Sequence, residues 1–331
     1  MVMNGHGAHV RAGSVANTPY ESMKRPSEDI RVAVSELLGT KNFQLRCLKR
    51  AATSRVFRAL TDRGAYFIKS GSGVVEEHSN LRQAHRPGHE QFRLPEIVAF
   101  DAKREILVFK YEKGGSLLFD LLRSATVFTY ALRRQHLRDA MFLVASWLSA
   151  FHEANRTGTR DVASEEKGLA TERLREMKGS LTHRERQRLS DVVQSLVIKE
   201  APVCRSNHDF APRNILIDNL NVTVVDWDKV LEKAVYYNLA YFATNVESRS
   251  RMALYSLNHC RAMTEAFIAG YFQESPSPLD TRQLAMFRFL YFLEYLHGYE
   301  HHVGVFETWQ QSTTAMDRFM NGYVKQSLLS F

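Results

Sequence analysis

The sequence predicts an α+β fold of two lobes, a small antiparallel-sheet lobe with one helix followed by a larger, mainly helical lobe. Between residues 43 and 112 apolar and polar residues alternate over short runs, whereas beyond residue 131 apolar residues recur at helical spacing. A chain of 331 residues, 44% of them hydrophobic, is also long enough to bury two cores. We therefore expect a flexible leader at residues 1–35, which a short helix can follow, and lobes at 36–112 and 113–331.

The first lobe is predicted from five strand-like runs and one helix. The strand-like runs are 43–48, 55–60, 65–69, 95–100 and 106–111. The turn residues Asp62, Arg63 and Gly64 join the second run to the third, which predicts an antiparallel meander. The helix is expected to begin at Val74, after the third strand.

The second lobe is predicted to be mainly helical. A long helix over 131–155 presents an apolar face, a charged helical pair covers 165–198, and two or three further helices follow residue 228. The most apolar stretch, 284–296, is interrupted by Arg288 and Glu294 and is too short to span a membrane. We interpret it as a buried, aromatic-rich helix.

The most specific pattern lies between residues 207 and 228. Asp209 and Asn214 are five residues apart, and the apolar run after Asn214 turns back through a β-branched strand to Asp226. Such a hairpin brings two carboxylates and an amide oxygen around one cavity. Phosphoryl transfer requires a carboxylate to orient the attacking hydroxyl and oxygen ligands for magnesium, so the pattern is typical of that chemistry.

The same residues resemble a known family. The run N-H-D-F-A-P-R-N-I-L-I-D, followed by V-D-W-D, is similar to the H-G-D-x-x-P-x-N signature and D-[WF]-[DE] segment of aminoglycoside phosphotransferase-like kinases. This family has a protein-kinase-like fold and phosphorylates small hydroxyl compounds. The resemblance covers about residues 40–300 and implies an ATP or GTP donor and Mg²⁺.

The resemblance implies roles for the residues of this segment. Asp209 is expected to orient the acceptor hydroxyl or accept its proton, and Arg213 to meet the γ-phosphate or an anionic acceptor. Asn214 and Asp226 are the expected metal ligands. Asp228 is expected to support a second metal or the acceptor.

Further candidates bind the nucleotide. Phe67-Ile68-Lys69 is similar to the strand on which kinases carry the lysine that holds the phosphates. In the resembling family a helical glutamate pairs with this lysine, which here is Glu77, with Glu76 as the fallback. The remaining candidate nucleotide contacts, in the phosphate-covering segment and the hinge, are Thr53, Ser54, Phe109 and Tyr111.

The sequence also departs from the family pattern. His208 replaces a glycine, whose backbone freedom other residues lack, and Asn238 stands where an aspartate commonly supports the catalytic loop. The nucleotide-covering segment, 51–57, contains no glycine. An alternative function is therefore a catalytically silent, nucleotide-binding or scaffold protein.

A second motif competes with the first. His297, Glu300 and His301 fit H-x-x-E-H, in which two histidines on a helix bind zinc beside a catalytic glutamate. Gly298 weakens the helix and a third ligand is not evident. A zinc peptidase is thus a remote alternative, and a polar helix end is the preferred interpretation.

The composition limits which classes of binding partner are expected. The net charge of +8 favours anionic partners, although the basic residues are scattered among acids. Three cysteines far apart in sequence fit neither a disulfide framework nor a zinc site, and a cytoplasmic setting is expected. We expect a small-molecule hydroxyl acceptor, compatible with an anionic or glycan-linked compound, no nucleic acid, no transmembrane segment, and at most peripheral membrane contact. The acceptor pocket is expected on the helices after residue 230, with the candidates Tyr236, Tyr237, Tyr241, Asn245, Glu247 and Arg249.

Overall fold

The computed structural model divides into two compact units and confirms the α+β fold class. One unit comprises Met1–Ser72 with Val98–Tyr111, and the other comprises Gly73–Ile97 with Glu112–Phe331. The structure describes residues 28–50, 54–111, 116–177, 179–251, 254–276, 279–301 and 320–329.

The first unit is an antiparallel sheet with one helix. Its strands lie in the order β1-β2-β3-β6-β5, and the helix α1 precedes them along the chain. β1, β2, β3 and β6 pair antiparallel, as the alternating runs predicted. The elements are α1 (Glu28–Leu38), β1 (Phe43–Arg50), β2 (Ser54–Thr61), β3 (Gly64–Gly71), β5 (Ile97–Asp101) and β6 (Ile106–Lys110).

Helix α1 closes the core of this unit and begins earlier than the sequence suggested. Ile30 and Val34 on α1 are buried in one cluster with Ile68 and Val108 of the sheet. The expected leader ran to residue 35, but residues 28–35 form most of this helix. The spacing of its apolar residues, four apart on one face, matches the period of a helix, and burial against the sheet stabilises it.

The second unit contains the remaining α-helices of the described residues. They are α2 (Val74–Gln83), α3 (Leu118–Arg123), α4 (Tyr130–Ala154), α5 (Ala163–Glu176), α6 (His183–Ser195), α7 (Val235–Glu247), α8 (Leu257–Glu274), α9 (Thr281–His301) and α10 (Lys325–Leu329). Helix α6 begins with a capping box between Thr182 and Glu185, which satisfies amide groups at its first turn. Among the described residues, the structure has no helix with the length and hydropathy needed to cross a membrane.

Two small sheets complete the second unit. The first has the order β4-β11-β10-β7 and the second the order β12-β9-β8. Their strands are β4 (Phe92–Arg93), β7 (Ser116–Leu117), β8 (Arg156–Arg160), β9 (Ala201–Asn207), β10 (Ile215–Asp218), β11 (Asn221–Val224) and β12 (Val230–Ala234). The hairpin β10–β11 was predicted, whereas the sheet of β8, β9 and β12 was not, because the sequence of β8 shows no apolar alternation.

An aromatic cluster anchors the segment that was predicted to be catalytic. Trp227 is 1% exposed, and its ring lies 5.1 Å from that of Phe151 on α4. Trp147, also on α4, stacks on Phe151 at 5.0 Å and on Phe210 at 5.8 Å. Phe210 directly follows Asp209 in sequence, and Trp227 directly follows Asp226. The cluster therefore holds the backbone segments of both candidate residues against one rigid helix.

Candidate active site

The hairpin β10–β11 positions the two residues assigned to a metal. Its strands pair antiparallel over their whole length. Beyond the last pair, the Val225 amide donates to the carbonyl of Asn214 at 2.8 Å. Asn214, which precedes β10, is therefore held beside the strand end from which Asp226 follows.

The carboxylate of Asp209 is surrounded by hydrogen-bond donors. Nη2 of Arg213 lies 2.6 Å from its Oδ1 and 2.8 Å from its Oδ2, and the Tyr241 hydroxyl donates to Oδ1. Nδ2 of Asn214 donates to Oδ2 at 3.0 Å and to the Asp209 carbonyl at 2.9 Å. The short 3₁₀ turn Pro212–Asn214 folds the chain back so that these donors meet one carboxylate.

These contacts determine the ionisation of Asp209. Burial alone would raise its pKa, but the positive charge of Arg213 and the hydrogen bonds of Tyr241, Arg213 and Asn214 lower the pKa below its ordinary value. Burial alone would lower the pKa of Arg213, but the nearby Asp209 carboxylate raises this pKa above its ordinary value. Asp209 is therefore ionised at neutral pH and can accept a hydrogen bond from a hydroxyl.

The oxygen donors of Asn214 and Asp226 fit a magnesium ion chemically. Because Nδ2 of Asn214 is committed to Asp209, Oδ1 is the atom that it offers to a ligand. Asp226 has a φ of 67°, in the left-handed region that costs a non-glycine residue about 1 kcal/mol or more. Amide and carboxylate oxygens are the ligands that Mg²⁺ prefers.

Glu77 makes a contact that the sequence did not predict. Its side chain is 1% exposed, and its Oε1 accepts the backbone amide of Trp227 at 3.0 Å. On the same helix, Nδ2 of Asn80 donates to the Trp227 carbonyl at 2.8 Å. Helix α2 thus holds both backbone groups of the residue after Asp226, and Asn80 is a site residue that sequence reasoning missed, because no motif marks it.

His208 does not take the backbone conformation that its glycine position suggested. Among the described non-glycine residues, positive φ angles occur at Glu105, Asn219 and Asp226, so His208 is not strained in this way. The expectation that a residue other than glycine would disturb the backbone at position 208 is therefore wrong. Its ring stacks on that of Tyr237, with centroids 5.2 Å apart.

Asn238 supports the loop as a neutral amide. Its Nδ2 donates to the carbonyl of Asn207 at 2.9 Å, and its Oδ1 accepts from Ser206 Oγ at 2.6 Å and from Nε2 of His152 at 3.2 Å. Asn207 in turn accepts the Asp209 amide at 2.8 Å and donates to the Asp226 carbonyl at 3.0 Å. An aspartate at position 238 would lack the donor to Asn207, so the amide is suited to this fully buried position.

Asp228 and Glu76 lie together in the second unit. Both line an open cavity of about 590 Å³ that His208 and Lys229 also line. A Cβ added to Gly73 would come within 3.3 Å of Asp228 Cβ, and Gly73 has a φ of 88°. A glycine is therefore required where the chain passes Asp228.

The lysine candidate lies in the first unit. Lys69 is on β3, opposite Val56 of β2 and Leu107 of β6. Its neighbour Ile68 is fully buried in the core against α1. Because side chains alternate along a strand, Lys69 is on the face of the sheet away from α1.

The remaining nucleotide candidates also fall in this unit. Ser54 begins β2 and is half-buried, whereas Thr53 lies outside the described residues. Phe109 is on β6, and the Tyr111 amide donates to the Ala65 carbonyl at 3.0 Å. The Tyr111 amide is thus used within the sheet.

Comparison with known proteins decides the family. The model of the phosphotransferase enzyme family matches residues 46–284, which includes every candidate residue for phosphoryl transfer. The chain belongs to the phosphotransferase enzyme family. A sequence search found no match among curated proteins.

Solved structures share the fold of this phosphotransferase. The choline/ethanolamine kinase family protein from Mesorhizobium loti superposes with a TM-score of 0.57 at 13% identity, covering 92% of this chain and 95% of that one. A glucosamine kinase in complex with glucosamine, ADP and inorganic phosphate gives 0.57 at 16% identity, covering 92% and 83%. A thermostable mutant of an aminoglycoside phosphotransferase gives 0.59 at 16%, covering 91% and 98%. The fold is therefore that of small-molecule kinases.

Most of the expected acceptor residues have low exposure in this phosphotransferase. Tyr236, Tyr237, Glu247 and Arg249 are all buried. Glu247, for example, accepts two hydrogen bonds from Arg288 at 2.7 and 2.8 Å. Of the six candidates, Tyr241 is the one that contacts Asp209, so the helical periodicity alone did not separate pocket from core.

Two residues of the H-x-x-E-H motif, His297 and Glu300, make structural contacts. The carboxylate of Glu300 accepts the amides of Gly179 at 2.7 Å and Ser180 at 3.0 Å. Nε2 of His297 lies 2.7 Å from the carboxylate of Glu176. Among the described residues, no group of three or more His, Cys, Asp or Glu side chains is arranged to hold a metal ion. These contacts support the interpretation of a polar helix end.

Proposed function

We propose that this phosphotransferase transfers the γ-phosphoryl group of ATP or GTP to a hydroxyl of a small molecule. The observation that carries the proposal is the ionised Asp209 carboxylate, held by Arg213, Tyr241 and Asn214 beside the strand end that bears Asp226. A kinase of this type needs little more from the protein than such positioning and charge.

Asp209 is proposed to orient the acceptor hydroxyl. The carboxylate accepts the hydroxyl hydrogen, the acceptor oxygen forms a bond to the γ-phosphorus, and the bond from that phosphorus to the β–γ bridging oxygen breaks. The proton of the hydroxyl passes to Asp209 or directly to the transferred group as phosphate develops. A low pKa makes Asp209 a weak base and favours the orienting role.

Asn214 and Asp226 are proposed to hold Mg²⁺, with Asp228 as a further oxygen ligand. When bound, the ion would neutralise charge on the nucleotide phosphates. Asn214 has a second role that needs no metal, because its amide nitrogen fixes the Asp209 carboxylate at 3.0 Å. Substitution of Asn214 would therefore disturb both the metal site and the Asp209 carboxylate.

Arg213 is proposed to exchange partners during the reaction. Its side chain is 42% exposed and 2.6 Å from Asp209. A half-exposed guanidinium can turn from the carboxylate to a phosphate at small cost, because each group offers a pair of anionic oxygens that the planar guanidinium can bind. This movement would free Asp209 to meet the acceptor hydroxyl.

For the nucleotide we propose the residues named from the resemblance. Lys69 would be the cation on the phosphates, with Ser54 and the backbone around Phe109 and Tyr111 as further contacts. Glu77 is proposed to hold the D-W-D segment, since it accepts the Trp227 amide.

The acceptor class is proposed from the charge at Asp209. Its side-chain neighbours are the cation Arg213, the hydroxyl of Tyr241 and the amide of Asn214, and the charge of Arg213 favours a neutral or anionic alcohol such as a sugar or glycan precursor. A polycationic aminoglycoside would meet Arg213 first. Amino alcohols are included among the acceptors that the assay below compares. The setting is expected to be the cytoplasm, where ATP and GTP are supplied.

The test is an ADP- or GDP-release assay over a panel of sugars, amino alcohols and aminoglycosides. In Asp209→Asn, turnover on the best acceptor should fall by about 10²-fold or more, because the group that orients the hydroxyl loses its charge. The matched control is Asp218→Asn, which changes a carboxylate at the far end of β10 and should retain turnover.

Nucleotide binding provides the second readout. Mg-nucleotide should raise the unfolding temperature of the Asp209→Asn variant, because ligand binding stabilises the folded state. In Asp226→Ala the shift should be lost. Undiminished turnover in Asp209→Asn would refute the proposed mechanism, and nucleotide binding without turnover on any acceptor would favour the scaffold alternative.

A further inference from the structure

The N-terminal end of α4 carries an exposed apolar patch. Leu132 and Phe128, 88% and 79% exposed, are the two most exposed large apolar side chains among the described residues. Leu254 and Val127, 52% and 41% exposed, adjoin each other because the Val127 amide donates to the Leu254 carbonyl at 2.9 Å. We call Val127, Phe128, Leu132 and Leu254, with the arginines at 133 and 134, the α4 tip.

Packing within the described part of the protein does not account for the exposed side chains. Phe128 precedes the cap residue Thr129, a position from which an apolar side chain normally packs on the fourth residue of the helix. That residue is Arg133, whose Nη1 instead donates to Ser124 Oγ at 2.8 Å. Helical side chains lean toward the N-terminus, so Leu132 leans toward the end that bears Phe128.

The turn before α4 is held firmly. Oγ1 of Thr129 donates to the Ser124 carbonyl at 2.5 Å and accepts the Thr126 amide at 3.0 Å. The hydroxyl of Tyr255 donates to the Arg123 carbonyl at 2.5 Å. The apolar side chains are therefore presented on an ordered turn, and a partner would have little ordering entropy to overcome.

The sequence around the patch is basic. Between Asp120 and Asp139 the sequence contains no acidic residue and four arginines. Asp139, the nearest acid on α4, accepts a hydrogen bond from Gln135 at 2.8 Å. Arginine is unfavourable in the first turns of a helix because the dipole is positive there, so the helix dipole does not account for Arg133 and Arg134.

The surroundings also limit the kind of partner. Residues 131–136 are all exposed, so the first turns of α4 project from the second unit. A projecting end with a few apolar side chains is small beside the roughly 800 Å² per partner that stable protein interfaces bury. Apolar side chains flanked by arginines match a lipid interface, where the rings and methyl groups enter and the guanidinium groups meet phosphates.

We propose that the α4 tip docks on the anionic surface of a lipid bilayer. Phe128 and Leu132 enter the interfacial layer, and Arg133 and Arg134 contact the lipid phosphates. The proposal is independent of the proposed function, since none of these residues belongs to the candidate active site.

The test is co-sedimentation of the full chain with vesicles of phosphatidylcholine alone or mixed with phosphatidylglycerol. We expect salt-sensitive binding to the mixed vesicles. Arg133→Gln with Arg134→Gln should weaken binding by about tenfold or more, because each basic residue near such a surface contributes about 1 kcal/mol. Phe128→Ser with Leu132→Ser should weaken it as well, with phosphotransferase activity on a soluble acceptor unchanged.

Two variants serve as matched controls. Val197→Ser removes an exposed apolar side chain elsewhere, and Arg184→Gln with Arg188→Gln removes two exposed arginines of α6. Both should bind vesicles like the unmodified protein, and unchanged thermal unfolding of the α4 variants would exclude misfolding.

Three results would overturn the proposal. Equal binding to phosphatidylcholine alone would remove the anionic requirement. Loss of binding in the arginine variant only would indicate general attraction to polyanions, nucleic acid included. A concentration-dependent dimer in sedimentation velocity that Phe128→Ser abolishes would assign the α4 tip to self-association.

Discussion

Asp209 is the residue on which the proposed chemistry depends, and its surroundings explain its state. Arg213, Tyr241 and Asn214 donate to one half-buried carboxylate and lower its pKa despite burial. A carboxylate with several donors is stable and well oriented, but an acceptor hydroxyl has to replace one of them. Arg213 is the donor best placed to leave, because it is the most exposed of the three.

Substitution of Tyr241 by Phe should move the pH dependence of activity. Removal of a donor to the Asp209 carboxylate raises the pKa of this group. The acid limb of the pH profile of kcat/KM should therefore shift to higher pH. Tyr236→Phe is the control, because the hydroxyl of Tyr236 on the same helix accepts the Asp280 amide and does not contact Asp209. An acid limb at the same pH in both variants would mean that Tyr241 does not tune Asp209.

At the scale of elements, local pattern predicted some structures and missed others. The alternation in β1, β2 and β3 and the turn residues between the last two strands predicted their pairing, because neighbouring strands joined by a tight turn need only local information. Strand β8, by contrast, pairs with β9, which follows it by about forty residues. Its sequence, R-T-G-T-R, has no apolar face, and only the long-range partner makes it a strand.

The contact between α4 and α8 is another feature of elements that needs the tertiary structure. An alanine Cβ at Gly270 would lie 2.9 Å from the ring of Phe142 and 3.2 Å from the Cβ of Ala145 and the Cα of Phe142. Such distances are too short for carbon atoms in contact. The glycine therefore sets how closely α8 approaches α4, which packs against Trp227.

Alanine substitutions at two helical glycines should have opposite effects. Gly270→Ala should lower the free energy of unfolding by about 1–3 kcal/mol, because the new methyl group overpacks the helix contact. Gly168→Ala, on the exposed side of α5 with no atom within 4 Å of the new methyl group, should raise it by up to about 1 kcal/mol through helix propensity. Urea unfolding of both variants measures this, and equal effects would contradict the packing argument.

At the scale of the whole molecule, buried polar groups link distant parts of the second unit. His152 on α4 bonds the hydroxyl of Tyr271 on α8 at 2.6 Å and Oδ1 of Asn238 on α7 at 3.2 Å. Asn238 continues the chain of hydrogen bonds to Asn207 and so to the loop of Asp209. Three helices and the candidate catalytic loop therefore share one network.

This network predicts that stability declines in acid. Burial lowers the pKa of His152 from 6.5 to about 4, with the hydrogen bond to Asn238 opposing this in part. The folded state thus binds fewer protons than the unfolded state between these values. The contribution of His152 is complete above pH 6.5 and is lost as the pH falls toward 4, by roughly 3 kcal/mol.

Urea unfolding between pH 7 and pH 4 measures this decline. His152→Gln should be less stable at pH 7 and should show a flatter pH dependence, since the titrating group is gone. His183→Gln, an exposed histidine on α6, should keep the slope of the unmodified protein. The same slope in His152→Gln would assign the acid sensitivity to other groups.

The sequence by itself determined the family and the candidate catalytic segment, because Asp209, Asn214 and Asp226 lie within eighteen residues on a loop and a hairpin whose geometry is local. It also determined the α+β class through the two periodicities. Only the tertiary structure showed that Tyr241 reaches Asp209, that Glu77 and Asn80 hold the backbone of Trp227, and that Asn238 is satisfied as an amide. These contacts join residues up to 150 positions apart. Helical periodicity assigns a side chain to a face but not to a partner, and the partner is set by how the elements pack.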